Sequence, residues 1–357
     1  MGRIMIAGIS SGCGKTTLVC GLLAVLKSRG LKVCSFNCGP DYIDPYFHRS
    51  VLGIPSYNLD PWFYDTDKLR HICNNMASDC DISVIEGAMG YYDGIGFSPK
   101  CSSYQVAAAT QTPTVLVVDA SGMGYSSIAM LEGFLHFKVT KQIDVGLNMD
   151  GGRGDNLIRG VIFNRMSKSL YQEAACIVRS LGIVPLGYLP RNNDISLNSR
   201  HLGLVMPDED KYSLSSTEKK IQRIAELIGD TIDVDGLIEL ASLAEPLTNP
   251  PCHRFNNELT DKVIPLPPQY EKIISATCDE CVHPLIDALS GKGPACKAQE
   301  QKLRIAVARD SAFCCFYPLD AMLLEQLGCE LVYFSPVQGE TLPKGICGLI
   351  LPGGYPE

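Results

Sequence analysis

Short apolar runs alternate with amphipathic stretches along the first two hundred residues. An apolar run of this length is typical of a strand buried on both faces, whereas apolar residues three and four apart are typical of a helix. The pattern predicts a helix over residues 15–30 and strands over residues 3–9, 32–36, 82–86, 114–119, 160–164 and 184–188. Buried strands separated by helices indicate an α/β fold with a doubly wound, mostly parallel sheet, whose ligands bind at the carboxyl ends of the strands.

The periodicity changes after residue 204. We predict one helix over roughly residues 215–228 and a second that ends near residue 244. Residues 245–301 are rich in Pro, Cys and Lys without sustained periodicity, which indicates a connector. A new strand-helix-strand unit follows, with strands at 303–308, 330–334 and 348–351. The expected organisation is a first domain over 1–244, a connector over 245–301 and the start of a second α/β domain over 302–357.

Composition and charge narrow the class of partner. Of the 357 residues, 46% are hydrophobic and 20% charged, and no apolar run approaches the length of a membrane helix. The apolar start runs into glycines and Lys15 without the features of a signal peptide, so we expect a cytoplasmic protein. The formal net charge of −8 argues against nucleic acid and membrane partners. A polyanionic ligand would need a local basic pocket.

The sixteen cysteines have two interpretations. Several fall in apolar elements, and a phosphate-loop protein belongs in a reducing compartment, so free thiols are expected. The alternative is a zinc or iron site, although the spacing gives no clean second pair of ligands. Its candidate ligands are Cys252, His253, Cys278, Cys281, His283 and Cys296.

The strongest chemical signal is the segment GISSGCGKTT at residues 8–17, between the first predicted strand and the first helix. Backbone N–H groups of such a loop hold phosphate oxygens, Lys15 would reach the outer phosphates, and the Thr16 hydroxyl would bind Mg²⁺. The strict pattern has Gly six residues before the Lys, whereas here it lies one residue earlier. The predicted nucleotide-binding residues of the loop are Ser10, Ser11, Gly12, Cys13, Gly14, Lys15, Thr16 and Thr17.

Two acidic segments follow other predicted strands. In GPDYIDPYFH, at residues 39–48, the carboxylates of Asp41 and Asp44 are flanked by prolines and could hold Mg²⁺ or its waters, although an Asp-Pro segment alone more often forms a turn. In VIEGAMGYYDG, at residues 84–94, Glu86 lies at a strand end, where an acid directs Mg²⁺ in phosphate-loop enzymes. The sequence therefore predicts a metal site formed by Thr16, Asp44 and Glu86.

These segments occur in a fixed order with three more: NLD at 58–60, VIFNR at 161–165 and RHLGL at 200–204. Together they resemble the cobyrinic acid a,c-diamide synthases. That family is related in fold to dethiobiotin synthetase, and its members normally carry a C-terminal class I glutaminase domain. The resemblance extends over residues 2–205 and resumes at 304–310, 334–336 and 352–357. It implies that residues 302–357 begin a glutaminase-like domain.

The resemblance implies ATP-dependent amidation of the a and c side-chain carboxylates of cobyrinate, in cobalamin biosynthesis, with glutamine or ammonia as nitrogen source. ATP would convert each carboxylate to an acyl phosphate, a step that needs positioning and charge neutralisation more than a nucleophile. By correspondence with the family, Lys15, Asp41, Asp44 and Glu86 would be catalytic and Asn164 would recognise adenine. The residues implied at the tetrapyrrole substrate are Tyr42, His48, Arg49, Asp93, Arg200 and His201.

Two departures from the family pattern stand out. Family members usually have Lys at the position of Asn37, so a cation near the phosphates is missing. The glutaminase nucleophile would lie downstream of GGYPE at 353–357, and Cys314, Cys315 and Cys347 lie upstream of it. We therefore expect no glutaminase nucleophile in these 357 residues. Either they are part of a longer protein, or the nitrogen comes from free ammonia or a separate partner.

Three alternatives remain open. The first is the equivalent diamidation of nickel-sirohydrochlorin in coenzyme F430 biosynthesis. The second is another carboxylate substrate, as in dethiobiotin synthesis. The third is an inactive or nonenzymatic phosphate-loop protein. The sequence leaves a homodimer open as the state of assembly.

Overall fold

The computed structural model describes residues 2–139, 156–192, 199–200, 203–204, 211–247 and 302–354. The chain divides into two compact units, Met1–Asn249 and Pro250–Glu357. The strands of the first unit are β1 (Gly2–Gly8), β2 (Val33–Cys38), β3 (Ser56–Leu59), β4 (Ile82–Gly90), β5 (Thr114–Asp119), β6 (Ile158–Asn164), β7 (Val184–Leu189), β8 (Ser199–Arg200) and β9 (Gly203–Leu204). Its helices are α1 (Lys15–Ser28), α2 (Ile43–Ser50), α3 (Thr66–Met76), α4 (Ser103–Thr110), α5 (Ser126–His136), α6 (Lys168–Ser180), α7 (Lys211–Thr231) and α8 (Val234–Ser242).

The first seven strands form one sheet in the order β3-β2-β4-β1-β5-β6-β7. Every pair of neighbours is parallel, which confirms the predicted doubly wound α/β fold. In the central strand β1, the side chains of residues 4–7 are fully buried. The sequence did not predict β3, because its four residues SYNL are half polar and form an edge strand with a single neighbour. A small antiparallel pair, β8 and β9, stands apart from this sheet.

The helix α7 covers one face of α1, the helix that follows the phosphate loop. Gly21 of α1 allows this close approach, because a Cβ at that position would lie 2.4 Å from Ile224 Cγ2 and 2.5 Å from Ile228 Cδ1. Both isoleucines are fully buried. Any larger residue at position 21 would push the two helices apart and expose apolar surface, at a cost of about 25 cal/mol per Å². The predicted helix after residue 204 thus completes the core around α1.

The second unit contains β10 (Leu303–Ala308), α9 (Pro318–Gln326), β11 (Cys329–Phe334) and β12 (Gly348–Ile350). Its three strands are parallel, in the order β11-β10-β12. Asp310 stabilises the turn after β10, since its carboxylate accepts hydrogen bonds from the backbone N–H groups of Ala312, Phe313 and Val337. The three strands predicted for this segment are present, and their ends lie within one residue of the predicted ends.

Two expectations concern the chain as a whole. Across the ranges that the structure describes, no helix is long and apolar enough to cross a membrane. The twelve cysteines in the same ranges are all free thiols, which confirms that interpretation for them. The alternative metal ligands at 252, 253, 278, 281, 283 and 296 lie outside the described residues.

Candidate functional site

The phosphate loop connects β1 to α1 above the centre of the sheet. Gly12 and Gly14 take positive φ angles of 72° and 95°, which turn successive N–H groups inward and favour glycine. Gly14 has a second requirement, because a Cβ there would lie 2.2 Å from Asn164 Nδ2. The loop therefore has the backbone that binds anions at a helix N-terminus.

Lys15 folds back over this loop. Its ammonium donates to the carbonyl of Met89 at 2.6 Å and to the carbonyl of Ser10 at 3.2 Å. Met89 lies at the end of β4 with a φ of 48°, a left-handed conformation that is uncommon for a non-glycine residue. The carbonyl that meets Lys15 thus comes from a strained position beside the loop. A phosphate oxygen could replace either carbonyl as a partner of the ammonium.

Thr16 brings two carboxylates of distant segments together. Its hydroxyl oxygen lies 2.7 Å from Glu86 Oε1 and 3.2 Å from Asp44 Oδ2. A hydroxyl has one hydrogen, so it can donate fully to one of these carboxylates at a time. Asp44 and Glu86 expose only 6% and 4% of their surface. Two acids are therefore held next to each other in a position shielded from water.

Several buried polar atoms at this position have no hydrogen-bond partner: Asp44 Oδ1, Glu86 Oε2 and Asn37 Oδ1. An unpartnered buried acceptor costs about 1–3 kcal/mol, so folded proteins rarely keep one without a reason. Oxygen acceptors facing a Thr hydroxyl beside a phosphate loop are the donor set that Mg²⁺ prefers. In the described ranges no three His, Cys, Asp or Glu side chains form a complete metal site. Thr16, Asp44 and Glu86 therefore fit a Mg²⁺ ion, which would take its other ligands from water and phosphate.

Burial also controls the protonation of these acids. It raises the pKa of Glu86 to about 7, since the charged form loses its hydration. The pKa of Asp44 is raised well above its ordinary value by burial first and then by the neighbouring charges of Glu86 and Asp41. The pKa of Asp41 is raised by burial too, although backbone N–H groups oppose the shift. A divalent cation would reverse these shifts and make the cluster anionic.

Asp41 is fixed by the start of α2. Its Oδ1 accepts from the backbone N–H groups of Ile43 at 3.0 Å and Asp44 at 3.2 Å. Asn58, in the edge strand β3, donates through Nδ2 to the carbonyls of Gly39 at 3.0 Å and Asp41 at 2.6 Å. The turn that carries Asp41 is therefore held from two sides. This places Asp41 next to the acids, while its catalytic role stays a prediction.

Asn164 contacts the phosphate loop directly. Its Nδ2 donates to the carbonyl of Cys13 at 2.8 Å, and its Oδ1 accepts from the backbone of Arg165. The Arg165 guanidinium pairs with Asp119 at 2.5 Å across the ends of β5 and β6. The structure thus puts Asn164 beside the loop, with its amide engaged in the protein, and adenine recognition remains a prediction.

The predicted substrate residues differ in position. Tyr42 is half-buried at the start of α2. Asp93 is exposed, and its Oδ2 accepts from the backbone N–H of Gly90 at 3.0 Å, which closes the turn after β4. Arg49 donates to the carbonyl of Ser56 at 2.7 Å. Of the RHLGL segment, Arg200 belongs to β8 without a described side chain, and His201 lies outside the described residues.

The assignment of His48 to substrate carboxylates is wrong. Its side chain is fully buried, with Nδ1 3.1 Å from Ser35 Oγ and Nε2 3.6 Å from Cys20 Sγ. Burial, together with the positive charge of Arg49, lowers the pKa of His48 to about 3. A neutral imidazole with both nitrogens engaged inside the core cannot meet an anionic ligand. The correction follows from which face of α2 points inward.

Sequence reasoning missed three contributors to the site. Asn58 was part of a quoted motif without a role, Met89 contributes through a backbone carbonyl, and Asn37 was noted only as a departure. Asn37 Nδ2 lies 3.5 Å from Asp41 Oδ2, and in the sheet Asn37 is aligned with Glu86. Asn37 did offer a signal in the sequence, because a polar side chain buried at the end of an apolar strand usually needs a hydrogen-bonding partner. No sequence signal could have indicated the carbonyl of Met89.

A phosphate loop follows the central strand, with Glu86 in the adjacent strand β4 and Asp44 in the helix α2. This arrangement defines a nucleotide-binding domain of the P-loop class. The family model CbiA, described as CobQ/CobB/MinD/ParA nucleotide binding domain, matches residues 4–205. The chain belongs to this family. A solved structure of MinD from Aquifex aeolicus is similar at 17% identity and a TM-score of 0.38, over 70% of this chain and all of that one.

Individual relatives share more of the sequence. The cobyrinate a,c-diamide synthases of Thermoplasma volcanium and Dehalococcoides mccartyi are each 35% identical to this chain over 99% of its length. That of Priestia megaterium is 33% identical over the same share. The matches confirm the resemblance seen in the motifs. The chain spans 64% of the length of the first relative and 65% of the length of the other two.

Proposed function

We propose that this chain forms the ATP-dependent, amide-forming part of a cobyrinate a,c-diamide synthase. One observation carries the proposal: the Thr16 hydroxyl lies between two buried carboxylates, each with an unpartnered oxygen, at the start of the helix that follows a phosphate loop. This arrangement suits phosphoryl transfer. The names of the relatives support cobyrinate as the acceptor.

The proposed chemistry activates a poor electrophile. An oxygen of the substrate carboxylate attacks the γ-phosphorus of ATP, the bond to the β-phosphate oxygen breaks, and ADP leaves. The nitrogen of ammonia then attacks the carbonyl carbon of the acyl phosphate, phosphate leaves, and a proton is released to water. The same two steps repeat at the second carboxylate. Each needs positioning and charge neutralisation rather than a protein nucleophile.

The residues of the site fit these steps. Lys15 would exchange its two carbonyl partners for oxygens of the outer phosphates. Thr16, Asp44 and Glu86 would hold Mg²⁺, which when bound would neutralise phosphate charge. Asp41 would orient this cluster from the turn before α2. Asn164, which donates to the carbonyl of Cys13 in the loop, would recognise the adenine of the nucleotide.

The proposed function also assigns a role to each part of the chain. Residues 1–244 would be the ATP-binding domain, 245–301 a connector and 302–357 the beginning of a class I glutaminase-like domain. The parallel strand-helix-strand unit from Leu303 to Ile350 supports this division. Glutamine or ammonia would provide the nitrogen.

Lys15→Ala tests the ATP-dependent step. We expect it to abolish amide formation, because the ammonium of Lys15 is the charge that would neutralise the outer phosphates of ATP. Lys168→Ala, at an exposed position of α6, is the matched control and should retain the wild-type rate. A Lys15→Ala protein that forms amide at the wild-type rate would disprove the assignment of this loop.

Substrate class can be tested with the wild-type protein. ATP hydrolysis should be stimulated by cobyrinate and not by diaminopelargonate, the amine used in dethiobiotin synthesis. Stimulation by nickel-sirohydrochlorin alone would move the proposal to the F430 variant. Stimulation by diaminopelargonate alone would overturn it, and ATP hydrolysis unaffected by any of the three would favour a nonenzymatic role.

A further inference from the structure

Large apolar side chains are exposed unevenly in the first unit. Of the eleven such side chains in its described residues, six lie at the carboxyl ends of β3, β4 and β5 or directly after them: Trp62, Phe63, Met89, Ile95, Phe97 and Tyr125. The first five lie at or after the ends of β3 and β4, two strands on the same side of the central strand β1. We call these five residues the apolar rim. Such a concentration usually marks a binding surface.

The backbone of the rim is fixed although its side chains are exposed. The N–H of Trp62 donates to Oδ1 of the buried Asp60 at 2.9 Å, while the indole remains 63% exposed. The loop that carries Phe97 is closed by a bond from the N–H of Ile95 to the carbonyl of Lys100 at 2.8 Å, and the phenyl ring is fully exposed. Folding buries none of the surface of Phe97 and only a minor part of that of Trp62, so neither ring gains its full burial energy. Both rings are therefore accessible to a ligand on a backbone that is already fixed.

The rim is continuous with the phosphate site. Met89 is 47% exposed, and its carbonyl accepts from the ammonium of Lys15. With strands about 4.8 Å apart, the ends of β3 and β4 are separated by about 10 Å, and the end of β2, which leads to Asp41 and Asp44, lies between them. A molecule lying on the rim would therefore have its edge next to the terminal phosphate of ATP.

We propose that the apolar rim binds one side of the macrocycle of the acceptor substrate. This inference rests on the proposed function. The macrocycle of a tetrapyrrole-type substrate offers a large apolar area that can pack on Trp62 and Phe97, whereas its carboxylates are carried on side chains at its periphery. Seated this way, the ring directs a peripheral carboxylate at the γ-phosphate. A small aliphatic acceptor would leave these aromatic rings in water.

Steady-state kinetics with cobyrinate as the varied substrate tests the rim. Trp62→Ala and Phe97→Ala should each raise the KM for cobyrinate at least tenfold, with kcat and the KM for ATP unchanged, because only ring binding is lost. Trp62→Phe keeps an aromatic face and should recover most of the affinity. Leu170→Ala, at a 45% exposed apolar position of α6, is the matched control and should leave all three constants unchanged.

A direct measurement is available because Trp62 is the single tryptophan of the chain. Acrylamide should quench its fluorescence efficiently in the free protein, and saturating cobyrinate should reduce the quenching constant severalfold. Unchanged access of acrylamide, or an unchanged KM for cobyrinate in both alanine variants, would overturn the inference. Conversion of a dimer to a monomer by Trp62→Ala in sedimentation velocity would also overturn it, by showing a subunit interface. A wild-type protein that responds to neither cobyrinate nor nickel-sirohydrochlorin would instead overturn the proposed function and the rim with it.

Discussion

Asp44 and His48 lie one turn apart on the same short helix, α2, and both are buried, yet their surroundings differ. Both ring nitrogens of His48 have partners, Ser35 and Cys20, whereas one carboxylate oxygen of Asp44 has none. His48 is neutral because burial lowers its pKa, and Asp44 is biased toward neutrality because burial raises its pKa. Burial alone thus does not distinguish a core residue from a site residue. An unpartnered buried oxygen, such as Oδ1 of Asp44, does mark a site residue, because only a bound ligand can satisfy it.

Among the side chains compared, Asp44 and Glu86 should show the largest effect on activity. Asp44→Asn and Glu86→Gln should each reduce ATP-dependent amide formation about a hundredfold or more, since each removes a charge that would hold Mg²⁺ in the transition state. The free energy of unfolding should stay equal or rise, because a neutral amide is less costly to bury than a carboxylate. Rates with varied Mg²⁺ and urea unfolding measure both quantities. A near-normal rate for Glu86→Gln would remove this residue from the metal site.

His48→Ala should produce the opposite pattern. Loss of the buried ring leaves a cavity and two unpartnered groups, so the free energy of unfolding should fall by about 2–4 kcal/mol. The kcat of the folded protein should stay within about twofold of wild type, as expected for a residue that acts through stability. Ser50→Ala, at an exposed position of the same helix, is the control. A tenfold rise in the KM for cobyrinate with unchanged stability would return His48 to the substrate site.

Glu86 and His48 should also make the free energy of unfolding depend on pH in opposite directions when a chelator is present. The pKa of Glu86 is about 7 when folded against an ordinary 4.5, so the folded protein binds more protons between these values and its stability falls as the pH rises through them. The pKa of His48 is about 3 against an ordinary 6.5, so the unfolded chain binds more protons there and stability falls as the pH drops. Urea unfolding from pH 3 to 8 measures both.

Variants identify the source of each slope. Glu86→Gln should flatten the decline toward neutral pH, where Asp41 and Asp44 contribute in the same direction. His48→Ala should flatten the decline toward acid. A wild-type profile retained in both variants would show that other groups control the pH dependence.

A smaller effect is expected at Asn37. Its amide lies 3.5 Å from Asp41, and its buried Oδ1 has no partner. Asn37→Ala should raise the Mg²⁺ concentration for half-maximal activity by up to about tenfold, since an acceptor for metal-bound water is lost. Asn75→Ala, at an exposed position of α3, should have no effect. An unchanged Mg²⁺ dependence for Asn37→Ala would limit Asn37 to a structural role.

The predictable part of the site follows from local spacing and one topological rule. The glycines, Lys15 and Thr16 are contiguous, so their arrangement is set once a strand precedes and a helix follows. The meeting of Asp44 with Glu86 could be expected because parallel strands end at one edge of a sheet. His48 was misassigned because its residue type suggests a partner for substrate carboxylates but does not show whether its side of the helix faces the core.

The sequence by itself determined the parallel α/β sheet, the phosphate loop and the acids near it, since these depend on periodicity and on residue types at short spacing. Only the tertiary structure decided that Asn58 holds the turn of Asp41, that the carbonyl of Met89 meets Lys15, and that His48 belongs to the core. Each of these depends on contacts between segments far apart in the chain. The relative positions of these segments are set by the packing of the whole sheet, which no local sequence pattern encodes.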